Sequence, residues 1–398
     1  MSADLEPLRH NTGNAATGGI WRVRGGSGSS VLKVAQPPSD APIRNPAWQT
    51  SDSPTHYNYW RREVLAYETE FATSVYADAG IRVPRLEQVQ PRPDGSIELW
   101  LEDVPGTSGF DLSVERLGRF AYELGLGQAR WVGRVPTEAE LPWLSRRWLA
   151  QYVAQGPGGR AIEVTDEHWN HPVAAEWSEQ VRRRLRTLWG SSTRALAAAE
   201  ALPRTLCHLD VWPANLIEDA SGASVLLDWA FVGEGAIGED PANLIIDSVT
   251  DGLMDAALLP GIVDAVTEGY RKGLAEGGSQ VTADEVQAAI ATCAVTKYFW
   301  ICPHFVYGAV KWPTVQAVLQ PGRLVRRDSR TPRRACRATR TVGRRCLLTL
   351  TLTLTPQPMR TSRLQVLGPR PAPPHAWPSA GLPHAGRCMR RVGRPRRR

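Results

Sequence analysis

Three polar residues at fixed intervals carry the strongest chemical signal in the chain: His208, Asp210 and Asn215, within His208-Leu209-Asp210-Val211-Trp212-Pro213-Ala214-Asn215. Shortly after them the apolar run Val225-Leu226-Leu227 ends in an acid, Asp228. This is the set that phosphoryl transfer needs. One carboxylate takes a hydroxyl proton, while an amide and a second carboxylate offer hard oxygens to Mg2+. The transition state spreads charge over the phosphoryl oxygens, so catalysis rests on positioning and on cations. On this reading Asp210 orients the acceptor and takes its proton, Asn215 and Asp228 ligate the metal, and His208 braces the loop. A metal-dependent hydrolase built on His208 and Asp210 is the competing chemistry. It needs further His or Asp ligands at metal spacing, and none is evident.

These residues need elements to hold them. Residues 1–105 read as a small, strand-rich lobe. Ile20 to Val23 and Val31-Leu32-Lys33-Val34 flank a Gly/Ser turn, the pattern of a hairpin. Trp60, Val64, Tyr67 and Phe71 recur at helical spacing, so a helix is expected over residues 60–75. Further strands are expected near Val83 and over residues 97–101. After Pro105-Gly106 the pattern turns helical over residues 112–131, 142–153, 173–189, 192–202, 253–274 and 284–302. Residues 206–229 interrupt it with short apolar runs and a polar loop, so the chemical residues fall on loops between strands. The expected fold class is α+β, with a small antiparallel-sheet lobe followed by a larger, mainly helical lobe over residues 106–320.

The segment from Leu206 to Asn243 resembles the aminoglycoside phosphotransferase and choline kinase-like family, relatives of the protein kinases. His208-x-Asp210, Asn215 and the strand-end Asp228 match that family's motifs. Gly238-Glu239-Asp240-Pro241-Ala242-Asn243-Leu244 matches its Gly-x-x-Asp-Pro segment, with one residue fewer between Gly and Asp. Many relatives carry an acid where Asn243 stands, a departure expected to loosen the anchoring of the catalytic loop. The resemblance implies a two-lobed kinase-like fold that uses ATP and Mg2+ to phosphorylate a hydroxyl of a small molecule: an aminoglycoside-like antibiotic, an amino alcohol or a sugar. It assigns the phosphate-contacting lysine to Lys33 and its acidic partner to Glu63, with Glu68 and Glu70 as alternatives. The loop before Ile20, with Gly13 and Gly18, takes the place of the phosphate-covering loop, whose backbone N–H groups could cradle phosphate. The lobe-linking hinge falls at Glu102-Asp103-Val104, where backbone groups near Glu102 and Val104 would meet adenine. A kinase fold that binds ligand without turnover is the alternative function.

Net charge separates the tail from the body. From Pro321 onward the chain holds 20 Arg, no Lys and one acid, a charge of +19 within a total of +7, which leaves residues 1–320 at −12. An acidic body gives no case for nucleic-acid binding and favours cationic substrates. Glu234, Glu239, Asp247, Asp251 and Asp255 are candidates to line a pocket for such a substrate, or else form a solvated acidic surface. The Arg/Pro-rich tail over 321–398 reads as disordered, with at most weak electrostatic contact to nucleic acid. Its composition is also what a GC-rich gene yields out of frame. Trp143, Trp148, Trp177 and Trp189 lie on helical patterns and read as core. No apolar run reaches membrane-spanning length and no signal-peptide pattern opens the chain, so a cytoplasmic protein with reduced cysteines is expected.

Overall fold

In strand β6 (Ile97–Glu102) Ile97, Leu99 and Leu101 are buried, while Glu98, Trp100 and Glu102 between them are only partly covered. That period of two makes β6 an inner strand of a sheet with one face on the core. The computed structural model describes residues 4–26, 28–39, 46–155, 162–250 and 254–311. All of these fall in the first of the chain's two compact units, Met1–Gln357; the second, Pro358–Arg398, and the rest of the basic tail lie outside the described residues.

The first sheet has five strands in the order β1-β2-β3-β6-β5, all antiparallel. Its other members are β1 (Asp4–Pro7), β2 (Thr17–Gly25), β3 (Gly28–Ala35) and β5 (Leu86–Pro91). Lys33 sits mid-strand in β3, opposite Ile20 on one side and Leu99 on the other. The helical segment expected over residues 60–75 is two helices, α1 (Arg62–Glu68) and α2 (Phe71–Val75). They divide at Glu70, whose left-handed φ of 56° cannot continue a right-handed helix. The apolar positions still share one buried face, with Val64, Tyr67, Phe71 and Val75 at 2% exposure or less.

A second sheet joins the halves of the chain. Strand β4 (Ile81–Arg82) pairs in parallel with β10 (Ser224–Leu226), and the order runs β4-β10-β9-β7 through β9 (Leu216–Asp219) to β7 (Gly106–Ser108). Strands β8 (Arg204–Cys207) and β11 (Gly233–Ala236) form a two-stranded ladder. Around these lie α3 (Val114–Ala129), α4 (Trp148–Gln155), α5 (Asp166–Asn170), α6 (Glu179–Gly190), α7 (Ser192–Glu200), α8 (Glu239–Thr250), α9 (Leu259–Glu276), α10 (Ala283–Tyr298) and α11 (Ile301–Lys311). Caps set several starts: Ser113 accepts from Arg116 N, Ser178 from Val181 N, and Thr282 with Glu285 forms a capping box. The helices expected over 142–153 and 173–189 begin late, at Trp148 and Glu179. A small antiparallel-sheet lobe followed by a mainly helical lobe is a protein-kinase-like architecture.

Helices α3 and α9 lie backbone against backbone. A Cβ at Gly273 would come within 2.0 Å of the Tyr122 carbonyl oxygen, and one at Gly125 within 2.3 Å of that of Tyr270. Neither neighbour is a flexible side-chain end, so a methyl group there must push the helices apart. Gly273→Ala is expected to destabilise the protein by about 1–3 kcal/mol. An unchanged urea midpoint would show that the two helices can separate without cost.

Candidate active site

Strand β3 and helix α1 bring Lys33 and Glu63 together at the edge of the helical lobe. The Lys33 ammonium lies 2.5 Å from Glu63 Oε2 and 2.8 Å from Asp228 Oδ1. Burial alone would lower its pKa, but the attraction of Asp228 and Glu63 outweighs that and raises it, so Lys33 stays charged. Burial likewise works against charge on Asp228, yet the Lys33 contact holds its carboxyl below the usual range. Glu63 also accepts the N–H of Trp229 through its other oxygen, at 3.3 Å. Glu68 and Glu70 are exposed, so the partner of Lys33 is Glu63.

Asp210 stands on the loop between β8 and β9. Asn215 Nδ2 donates to its carboxylate at 2.8 Å and to its carbonyl at 2.9 Å. With the amide nitrogen committed, Asn215 presents its oxygen as an acceptor. His208 Nδ1 accepts the Asp210 N–H at 3.3 Å, and the ring meets Trp229 edge-on. Burial pushes His208 down to about 4, so it braces the loop as a neutral ring. Desolvation, followed by the charge of Asp228, pushes Asp210 up to about 7, with Lys297 pulling the other way.

The loop is held from α8. Fully buried Asp240 accepts the N–H groups of His208 at 2.8 Å and Leu209 at 2.7 Å, and Gln128 Nε2 at 2.6 Å. Asn243, one turn on, donates to the Leu209 carbonyl at 3.2 Å. Leu209 has φ 69°, a conformation costly for a branched side chain, and both its peptide groups are pinned. The loosening expected from Asn243 is therefore not found. Its amide reaches a carbonyl that an ionised acid could not serve, and Asp240 supplies the main anchor. Gly238 lets α8 begin close against α10, since a Cβ there would meet Ala289 backbone at 2.7 Å.

Other expected residues stand apart from this cluster. The N–H groups of residues 13–17 are already paired: Gly13 with Asn11 Oδ1, Asn14 and Thr17 with the carbonyls of Asn11 and Asn14, Ala15 with Trp48 O, and Ala16 with Asn14 Oδ1. The loop does join β1 to β2, but those five groups do not form an open phosphate cradle. Gly18 is the second residue of β2, its missing Cβ leaving room for Gln36 and Val34. At the hinge, the Glu102 N–H is spent on the Arg85 carbonyl and its carboxylate on Arg82. Val104 is partly buried beside it. The acids do not form an open pocket. Glu234 pairs with Arg146 and Arg204, Glu239 accepts Ala236 N, Asp247 accepts the Tyr298 hydroxyl, and Asp255 caps residue 257; Asp251 lies outside the described residues.

Arg62 carried no sequence signal. Fully buried, it donates to five backbone carbonyls: Trp143 at 2.8 Å, Tyr57 at 3.0 Å, Ala230 at 3.1 Å, Pro54 at 2.9 Å and His56 at 2.7 Å. It binds α1, beside Glu63, to the loop before the helix, to the helical lobe and to the turn after Asp228. Burial pulls its pKa down to about 9, still charged at neutral pH.

A strand lobe, a helical lobe and a lysine shared between an acid from each define a kinase-like phosphotransferase scaffold. The chain belongs to the Phosphotransferase enzyme family, whose model matches residues 20–276, more than half its length. Among solved structures it is similar to an aminoglycoside-3'-phosphotransferase of type VIII, at 17% identity over 75% of this chain and 94% of that one, with TM-score 0.44. A Plasmodium vivax ethanolamine kinase is 12% identical over 88% and 84%, with TM-score 0.45. An aminoglycoside phosphotransferase from Streptomyces rimosus is 17% identical over 74% and 93%, with TM-score 0.39. No curated protein matches the sequence.

Arg62→Lys should cost about 2–4 kcal/mol, because an ammonium has three donors for five buried carbonyls. Denaturant unfolding measures it, and a loss below about 0.5 kcal/mol would mean that water replaces the missing donors.

Proposed function

We propose that this protein transfers the γ-phosphate of ATP to a hydroxyl group of a small molecule, with Asp210 as the base. The observation that carries this reading is the meeting of Lys33 and Glu63 from the strand lobe with Asp228 from the helical lobe, beside the Asn215–Asp210 pair. Lys33, fixed by Glu63, is suited to hold phosphate oxygens as a point charge. The Asp228 carboxylate and the Asn215 amide oxygen are hard donors that fit Mg2+. Among the described residues no three His, Cys, Asp or Glu cluster as a metal cage, so phosphate and water would complete the shell. When bound, the cation neutralises charge on the phosphates.

Asp210 is directed by the Asn215 amide and accepts the proton of the acceptor hydroxyl as that oxygen bonds to phosphorus; the bridging oxygen leaves with ADP. Adenine would lie at the hinge. With the Glu102 N–H committed, the Glu102 carbonyl and the Val104 backbone would read it.

Asp210→Asn is expected to lower turnover by about 10²–10⁴-fold while ATP binding persists, since the base is lost and no nucleotide contact is. A variant within a few-fold of the unsubstituted protein on every accepted hydroxyl compound would remove Asp210 from this role. Asp228→Ala should instead abolish the dependence of ATP affinity on Mg2+, as read by calorimetry. If that dependence survives, the cation is held elsewhere.

A further inference from the structure

Beside Asp210 the chain has built a cation site and filled it with its own side chain. The Lys297 ammonium lies 5.0 Å from the ring centre of Trp148, 5.5 Å from that of Tyr152 and 5.4 Å from that of Tyr298. Trp148 and Tyr152, one turn apart on α4, are stacked at 4.9 Å with 10° between their planes. Asp247 Oδ2 stands 4.0 Å from the ammonium and 2.5 Å from the Tyr298 hydroxyl. That hydroxyl also reaches Asn243, which holds the Leu209 carbonyl, so the cage continues into the candidate catalytic loop. Three aromatic rings and a carboxylate are what an alkylammonium ligand would require. The lysine is 8% exposed, so it occupies this place in the folded protein and is not a surface group passing over the rings.

We propose that Lys297 determines the acceptor's charge: its ammonium takes the cation subsite beside Asp210, so the acceptor brings an uncharged or carboxylate-bearing group to this wall and not an amine. The inference rests on the phosphotransfer reading above and narrows its acceptor class. One further feature agrees with it. Asp247, the acid available to greet a substrate amine here, is already engaged by Lys297 and Tyr298. A second ammonium would meet a fixed positive charge in a desolvated site.

The test uses the full chain. Lys297→Ala removes three carbons and the ammonium, the outline of n-propylammonium. That ion is expected to restore the Tm of the variant in a saturable way, whereas 1-propanol, of similar size and uncharged, should not. Equal rescue by both, or rescue by neither, overturns the cation subsite. Acceptor preference is read from ATP consumption with ethanolamine, ethylene glycol and glycolate, which differ in the group on the second carbon. The unsubstituted protein should favour the latter two. Lys297→Ala should shift the kcat/KM ratio toward ethanolamine by about tenfold or more, and n-propylammonium should reverse the shift. Preference of the unsubstituted protein for ethanolamine overturns the proposal. Lys297→Met, which keeps most of the volume, serves for the same comparison if the alanine variant does not fold. If neither protein consumes ATP with these compounds or with a panel of aminoglycosides, amino alcohols and sugars while n-propylammonium still binds selectively, the phosphotransfer reading fails and the cation subsite stands.

Discussion

One ammonium shared by two carboxylates, Lys33 between Glu63 and Asp228, is the contact on which the arrangement of the site depends. It is a direct side-chain tie by which strand β3, helix α1 and the turn at Asp228 are all specified at once. Taking Lys33 out of water costs several kcal/mol unless its partners are close and well oriented. The structure meets that condition by fixing the acids, and not merely by placing them nearby. Glu63 is held through the Trp229 N–H, and Asp228 stands in a left-handed conformation that turns its carboxylate out of the strand end. Strain at Asp228 is tolerable because a short polar side chain accepts that region more readily than a branched one.

What fixes the acids is backbone bonding from residues outside the motif. Arg62 spends its donors on carbonyls from three separate segments, one of them Ala230 in the turn after Asp228. Asp240 does the converse for the candidate catalytic loop, with an acceptor that gathers two consecutive N–H groups. Each is a charged group with 0% exposure. Such groups are stable only when their hydrogen-bonding capacity is used, so each rigidly dictates the course of the backbone around it. The strained Leu209 is affordable for this reason: Asp240 and Asn243 hold its two sides.

The divide between what was legible in the sequence and what was not follows from the same physics. His208, Asp210, Asn215 and Asp228 were readable because their spacing along one chain segment is itself the motif, and Lys33 because the family resemblance places a lysine in that strand. Several of the strands and helices were readable from periodicity, which reports burial on one face. The resemblance favours Glu63, but only the fold sets Glu68 and Glu70 aside, since all three lie within reach of one helix turn or two and differ in which face they occupy. Arg62, Gln128 and Lys297 gave no signal. Their partners are backbone groups or rings scattered over the chain, and Arg62 reads as one more charge in Arg61-Arg62-Glu63. The glycine loop shows the opposite case, in which composition does not report how the backbone groups are paired. Its composition suited a phosphate cradle, but Asn11 and Asn14 close it on itself through side-chain to backbone bonds, as Asn does in turns.

Two buried lysines divide the acids of the site between them. Lys33 answers Glu63 and Asp228, while Lys297 answers Asp247 and, at longer range, Asp210. With all six groups ionised, four carboxylates face two ammonium groups, and two negative charges remain. That residual equals the charge of one divalent cation, and the oxygens of Asp228 and Asn215 are the ones suited to receive it. Were Lys297 absent, three charges would remain uncompensated, and a single divalent ion could not balance them without a cationic substrate. The internal lysine and the metal thus complement each other electrostatically. With Lys297 in place the protein's own groups and one divalent cation come close to balance, and under the proposal above this wall meets an arriving acceptor with an ammonium already beside Asp247.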